Sequence, residues 1–280
     1  MRTIVHLSDL HFGRVDPALV DPLIRTVWEL QPDLVAVSGD LTQRARTAQF
    51  VEARRFLDAL PKPQIVVPGN HDVPLYNPWA RFFRPLVKYR CYIGENVEPF
   101  YGDDQIAVAG VNTARSLTIK NGRINQRQLG CIRERLCHYP DAVTKIVVTH
   151  HPFDLPRGYR EGSLVGRARI AMEALASCGV DLFLAGHLHV SHSGHTGERY
   201  RIAGYKALVI SAGTALSSRR RRENNAFNAL RVDHPRVGLE RYVWQSENAR
   251  FDLSGVEYFE RRPDGWMPIP ISCPGAAVSG

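Results

Sequence analysis

The chain has little cysteine and no long apolar run, and both shortages narrow what it can be. Five of its 280 residues are cysteine: Cys91, Cys131, Cys137, Cys178 and Cys273. The number is odd and no two stand in a C-x-x-C pair, so no disulfide framework is expected and the thiols read as reduced and mostly buried. No stretch approaches the roughly 18 apolar residues that a membrane-spanning helix needs. A strand-like segment begins almost at Met1, which leaves no room for a signal peptide and predicts a cytoplasmic protein. Internal repeats, coiled-coil heptads and flexible linkers are also lacking. One domain is therefore expected over residues 1–260, with an irregular tail rich in Pro and Gly at 261–280. Acidic residues are outnumbered 28 to 36, and the resulting net charge of +8 favours anionic partners such as nucleotides, nucleic acid, phosphorylated metabolites or lipid headgroups.

What is present is a series of short runs rich in Val, Ile and Leu, at 3–8, 33–38, 64–68, 106–111, 145–149, 181–185 and 207–211. Such continuous apolar character suits strands covered on both faces. Amphipathic segments lie between them, most clearly at 47–60 and 125–139, and this alternation predicts an α/β fold. Beyond residue 223, "FNALRVD" and "LERYVWQ" alternate apolar and polar residues as half-exposed antiparallel strands do, which predicts a mixed sheet.

The chemistry collects immediately after the apolar runs. The first is followed by "SDLHFG", the second by "SGDLT", the third by "PGNHD", the run at 145–149 by "HHP" and the run at 181–185 by "GHLH". Carboxyl ends of parallel strands open onto one crevice, so Asp9, His11, Asp40, Asn70, His71, His150, His187 and His189 are expected to share a pocket. Gly39, Gly69 and Gly186 stand directly before three of these residues, where a tight turn aims the next side chain. Imidazole, carboxylate and amide together suit Mn, Fe, Zn, Ni or Co better than Cu(I) or Ca, and there are too many ligands for one ion.

The set "DLH", "GDL", "GNHD", "THHP" and "GHLH" resembles the calcineurin-like metallophosphoesterase superfamily, and within it the bacterial class III cyclic-nucleotide phosphodiesterase-like branch. The resemblance implies an α/β/β/α sandwich of two mixed β-sheets flanked by helices. It also implies a dinuclear centre of divalent or mixed-valence transition metals, with iron and manganese first and zinc or cobalt as further candidates. Carried over by position, it assigns Asp9, His11 and His189 to one ion, Asn70, His150 and His187 to the other, and Asp40 as the bridge. His71 resembles the histidine that contacts the phosphate and protonates the leaving oxygen. Two adjacent cations need a bridging anion to offset their repulsion, and they bring a shared water towards neutral pKa, giving a hydroxide for in-line attack.

The implied activity is hydrolysis of a small phosphodiester, a cyclic nucleotide or similar. The alternatives are a pyrophosphatase acting on a nucleotide-lipid or nucleotide-sugar, a DNA nuclease, and a non-catalytic scaffold. Asp72 either orients His71 or caps the next turn, with orientation preferred. His151 reads as packing against Pro152 at least as well as a ligand. His192 and His195 lie beyond the strand exit and are expected to decorate a hairpin. Two segments could meet the substrate. Residues 75–94 mix aromatics with Arg and Lys, as a base-and-phosphate grip or an ordinary packed amphipathic helix would. Arg219 to Arg222 read either as a solvated loop or as a contact for anionic lipid or nucleic acid.

Overall fold

The structure, a computed structural model, describes residues 1–118, 120–159, 161–218 and 223–270. Strands β1 (Arg2–Leu7), β2 (Leu34–Val37) and β3 (Gln64–Val66) run parallel, with α1 (Val20–Glu29) and α2 (Thr47–Ala59) on their connections. Two short helices follow, α3 (Pro78–Phe83) and α4 (Val87–Tyr92). A second sheet is then built from β4 (Phe100–Gly102), β5 (Ile106–Val111), β6 (Thr144–Thr149), β7 (Leu182–Ala185), β8 (His192–His195) and β9 (Leu208–Ser211). Helices α5 (Gln126–Leu136) and α6 (Ala168–Ala176) cross over it. Its order is β4-β5-β6-β7-β9-β8, with β5, β6, β7 and β9 parallel and antiparallel strands at both edges. The chain returns to the first sheet as an antiparallel meander, β10 (Ala226–Asp233), β11 (Arg236–Gln245), β12 (Arg250–Arg262) and β13 (Gly265–Ile269), giving the order β13-β12-β11-β10-β1-β2-β3.

Strand side chains alternate between faces, so each central strand feeds two cores. Ile4, Leu34 and Ala36 of the first sheet meet Val108, Ile146 and Leu184 of the second in an apolar layer between the sheets. Val5, Leu7 and Val35 point the other way, against Leu23 and Val27 of α1 and Phe50 and Phe56 of α2. Val147, Phe183 and Val209 do the same on the far side, against Ile132 of α5 and Met172 and Leu175 of α6. The result is four layers, helix, sheet, sheet, helix. Each fully buried Val, Leu or Ile in them contributes about 1.5–3 kcal/mol relative to exposure. Among the described residues no helix is long and apolar enough to cross a membrane.

Two expectations are corrected. The tail is not irregular from residue 261: β12 continues to Arg262, and β13 pairs with it as an edge strand. Trp266 anchors that edge, buried with its Nε1–H donating to Asp181 Oδ1 at 2.9 Å. Pro268 is tolerated there because an edge strand leaves one row of ladder donors unused. The cysteines are not all reduced either. Cys137 and Cys178, 41 residues apart, form a disulfide where the ends of α5 and α6 meet on the second sheet, and Cys91 is exposed. Residues 219–222 and 271–280, with the arginine run and Cys273, lie outside the described residues.

Candidate metal centre

The parallel strands of both sheets end at one edge of the sandwich, and the predicted residues lie in the turns that follow. Asp9 comes after β1, Asp40 after β2 and Asn70 after β3; His150 comes after β6 and His187 and His189 after β7. The backbone at these exits turns back sharply. Nine non-glycine residues among those described have positive φ, and five of them are Asp9, His11, Asp40, His187 and His189. Left-handed backbone costs an L-residue about 1–2 kcal/mol, so the packed strands beneath must over-determine these conformations, as is usual at functional sites. Gly69 serves a different need: a Cβ there would overlap the Asp40 carboxylate and backbone nitrogen.

The side chains form two clusters around one carboxylate. In the first, Asp9 Oδ1 lies 3.6 Å from both His11 Nε2 and His189 Nε2, and all three residues are buried. In the second, Asn70 Oδ1 lies 3.1 Å from His150 Nε2 and 3.2 Å from His187 Nδ1, and the two imidazole nitrogens are 3.3 Å apart. Asp40 stands between them, with Oδ2 3.7 Å from His11 Nε2 and Oδ1 3.4 Å from His150 Nε2. Oδ1 also accepts from the His71 backbone N–H at 2.9 Å.

These residues fit metal ions on two observations. Asp9 Oδ1 and both ring nitrogens of His11 are buried without a hydrogen-bond partner among the described residues, which is costly in the absence of some other ligand. Their separations of 3.6 and 3.7 Å exceed hydrogen-bond reach and match two atoms each held about 2.1 Å from a common ion. In the second cluster His150 Nδ1–H donates to the Ser38 carbonyl at 2.8 Å, which aims Nε2 at Asn70 Oδ1. Burial opposes protonation of this imidazole, but the neighbouring Asp40 and Asp9 carboxylates outweigh it and raise the pKa. A metal ion there would displace the Nε2 proton and take the place of the hydrogen bond to Asn70, with the ring still held by Ser38.

Surrounding contacts prepare the donors. Asp9 Oδ2 accepts from Ser8 Oγ at 2.7 Å and from the His187 N–H at 3.0 Å, which leaves Oδ1 aimed at the cluster. His189 Nδ1 is 2.7 Å from Thr214 Oγ1, beyond the end of β9, so Nε2 faces Asp9. Burial opposes ionisation of Asp9, but His189 and His11 outweigh it and hold the carboxyl well below its ordinary range. Burial, reinforced by His150, pushes His187 down to about 3, which keeps its imidazole neutral and free to donate a lone pair.

His71 sits at the half-open rim. Its Nδ1–H donates to the Gln43 carbonyl at 2.9 Å, which turns Nε2 away from that loop. The expected orienting role of Asp72 is not what the fold uses. Its carboxylate is buried and accepts from the Gly69, Leu41 and Thr42 N–H groups at 2.9, 3.1 and 2.8 Å and from Thr42 Oγ1 at 3.0 Å, tying the β2 exit to the β3 exit. Burial and then the Asp40 charge push this carboxyl up to about 6. His151 has a ring nitrogen within 4.8 Å of donor atoms on His150 and His187. Both its nitrogens are already engaged, Nε2–H donating to the Lys120 carbonyl at 2.9 Å and Nδ1 bonded to Thr113 Oγ1 at 2.8 Å. Packing, not ligation, describes it. His192 and His195 form the half-buried edge strand β8.

The sequence model for calcineurin-like phosphoesterases matches residues 2–191. The chain belongs to that family. It is 27% identical over 160 residues to a probable cyclic nucleotide phosphodiesterase of Synechococcus, and 28% identical over 165 residues to a glycerophosphodiester phosphodiesterase of Enterobacter lignolyticus. Each match covers 54% of this chain and 58% of the relative, so the chain spans little more than half the length of the curated relatives it matches. A purple acid phosphatase from yellow lupin seeds superposes over 100% of this chain and 57% of its own, with a TM-score of 0.67 at 12% identity. That likeness establishes the fold, which is the metallophosphoesterase sandwich expected from the strand-exit motifs.

Sequence reasoning did not find Ser8, Thr214 or Gln43, nor the Ser38 carbonyl behind His150. Ser8 and Gln43 stand beside quoted motifs, but nothing in the sequence marks Thr214 as the neighbour of His189. The aromatic segment at 75–94 divides in two. In α4, Tyr89 is buried and its hydroxyl donates to the Val66 carbonyl at 2.9 Å, as a packed helix requires. In α3, Trp79, Phe82 and Phe83 are exposed while Arg81 is buried.

Proposed function

We propose that this family member is a dinuclear metal-dependent phosphohydrolase that cleaves phosphodiesters. Asp9, His11 and His189 would hold one ion and Asn70, His150 and His187 the other, with the Asp40 carboxylate shared between the two clusters. The observation that carries the reading is the Asp40 carboxylate, whose two oxygens face different clusters at 3.7 and 3.4 Å. The mixed nitrogen and oxygen donor set favours iron or manganese, with zinc or cobalt as substitutes. Bound there, the ions would acidify a water held between them and offset negative charge on the phosphoryl oxygens.

The protein residues do the rest. Ser8, Ser38 and Thr214 fix which atom of each ligand faces the centre. Gln43 holds the His71 ring so that Nε2 can hand a proton to the departing oxygen, a role for an imidazole beside the ions and not on them. The diester preference is supported by the names of the relatives, a cyclic nucleotide and a glycerophosphodiester phosphodiesterase. The test is a substrate panel with manganese- and iron-loaded protein, spanning cyclic nucleotides, glycerophosphodiesters, nucleoside diphosphate lipids, DNA and aryl mono- and diesters. Two ions per chain and faster hydrolysis of diesters than of monoesters are expected. A protein that binds no transition metal overturns the reading.

A further inference from the structure

Beside the Asn70 cluster is a cavity of about 170 Å³ with Asn70 and His71 on one wall and Arg44, Arg81 and Lys120 on the others. It is rich in cations that no carboxylate among the described residues pairs. No carboxylate lines it among the described residues, and none of the three cations has an ion-pair partner there. Arg81 is buried and donates only to backbone carbonyls, from Nε to Ser116 at 2.7 Å, from Nη1 to Pro74 at 3.1 Å and from Nη2 to Thr118 at 2.5 Å and Arg115 at 3.5 Å. Burying a guanidinium without a counter-charge is expensive. Arg44 stacks on the Tyr76 ring at 5.3 Å, and its guanidinium N–H groups have no acceptor among the described residues. A stacked, planar fork is pre-organised for a carboxylate or phosphate oxygen pair. The segment bearing Lys120 is held over the cavity from two sides, by Arg81 on the Ser116 and Thr118 carbonyls and by His151 on the Lys120 carbonyl.

We propose that this cavity is a subsite for a second anionic group, carried by the departing half of the substrate. The inference rests on the phosphodiesterase reading and on His71 facing the leaving oxygen, because His71 is the wall shared by the metal centre and the cavity. It sharpens the substrate class: a phosphodiester whose leaving group bears a further carboxylate or phosphate is preferred over one whose leaving group is neutral.

Three chromogenic substrates test this with the metal-loaded protein: methyl 4-nitrophenyl phosphate, its 3-carboxy derivative and its uncharged 3-carboxamide. Each rate is normalised to hydroxide-catalysed hydrolysis. The carboxylate is expected to raise kcat/KM about tenfold over both others, the scale of one charge-assisted hydrogen bond. Arg44→Gln should bring that ratio close to one, Arg44→Lys should restore part of it, and Lys120→Gln, at an exposed position, should lower it in part. Equal kcat/KM for the three esters, or a ratio unchanged in both Gln variants, overturns the subsite while leaving the hydrolase reading intact. If none of the esters turns over, the hydrolase reading fails. Calorimetric binding of 3-carboxy-4-nitrophenol to the wild-type chain then decides the cavity alone: binding weakened by Arg44→Gln supports an anion subsite, and no binding overturns it.

Discussion

The Asp9 and Asn70 clusters lie on either side of one carboxylate, yet they are built from different materials. Asp9, His11 and His189 are buried and include a carboxylate of their own. Asn70 and His187 are half-buried while His150 is buried, the cluster has no carboxylate besides the shared Asp40, and Asn70 opens onto the cationic cavity. A carboxylate in a poorly polarisable interior attracts a cation far more strongly than an amide at a wet rim does. The two halves are therefore expected to hold their ions unequally, the first as a near-permanent fixture and the second as the exchangeable position next to the substrate.

The largest effect should come from removing what the halves share. Asp40→Asn should empty both, lowering turnover by more than the roughly 100-fold typical of losing an outer hydrogen-bond partner of a ligand. Normal activity with two ions per chain in that variant would remove Asp40 from the bridge. Next come changes confined to one half. Asp9→Asn should cost the tightly held ion, whereas Asn70→Ala should leave it and weaken only the exchangeable one. Metal analysis after graded chelation reads both, and identical loss curves for the two variants would erase the asymmetry. A smaller and more selective effect is expected for His71→Ala, which should keep both ions and slow alkyl diesters more than activated aryl diesters. An equal loss on both would speak against proton donation. The mildest is Thr214→Val, which should weaken the ion of the Asp9 cluster by about tenfold through the His189 ring, with the other ion unaffected.

The ligands and the contacts that support them were also unequally legible in the sequence. Every strand carrying a site residue announced itself as an apolar run, and "DLH", "GDL", "GNHD" and "GHLH" stand at the exits of those strands because parallel strands must end on one edge. Contacts between different strand exits left no such mark. Thr214 meets His189 across 25 residues because β9 pairs with β7 in one sheet, and Ser38 meets His150 across 112 because the two sheets stack. Asp72 misled for a related reason. Its place next to His71 implied a partnership with the ring, while its carboxylate turns inward to the backbone donors of two loops. The tail misled by composition: Pro and Gly predicted fraying, and one buried Trp266 was enough to seat an edge strand.

The left-handed backbone at Asp9, His11, Asp40, His187 and His189 restricts the alphabet available to the site. Asn, Asp and His enter that conformation several-fold more readily than other residues, and β-branched side chains hardly at all. Asp→Asn exchanges therefore alter charge without disturbing the fold of the loop, and any loss they cause can be read as electrostatic. A Val, Ile or Thr at these positions would instead confound two injuries, a missing donor and a rebuilt turn. In a randomised library the same five codons should tolerate Asn, and then Gly, long before any other replacement, even under selection for stability alone. Part of what looks like a demand of catalysis at these positions would then be a demand of chain geometry.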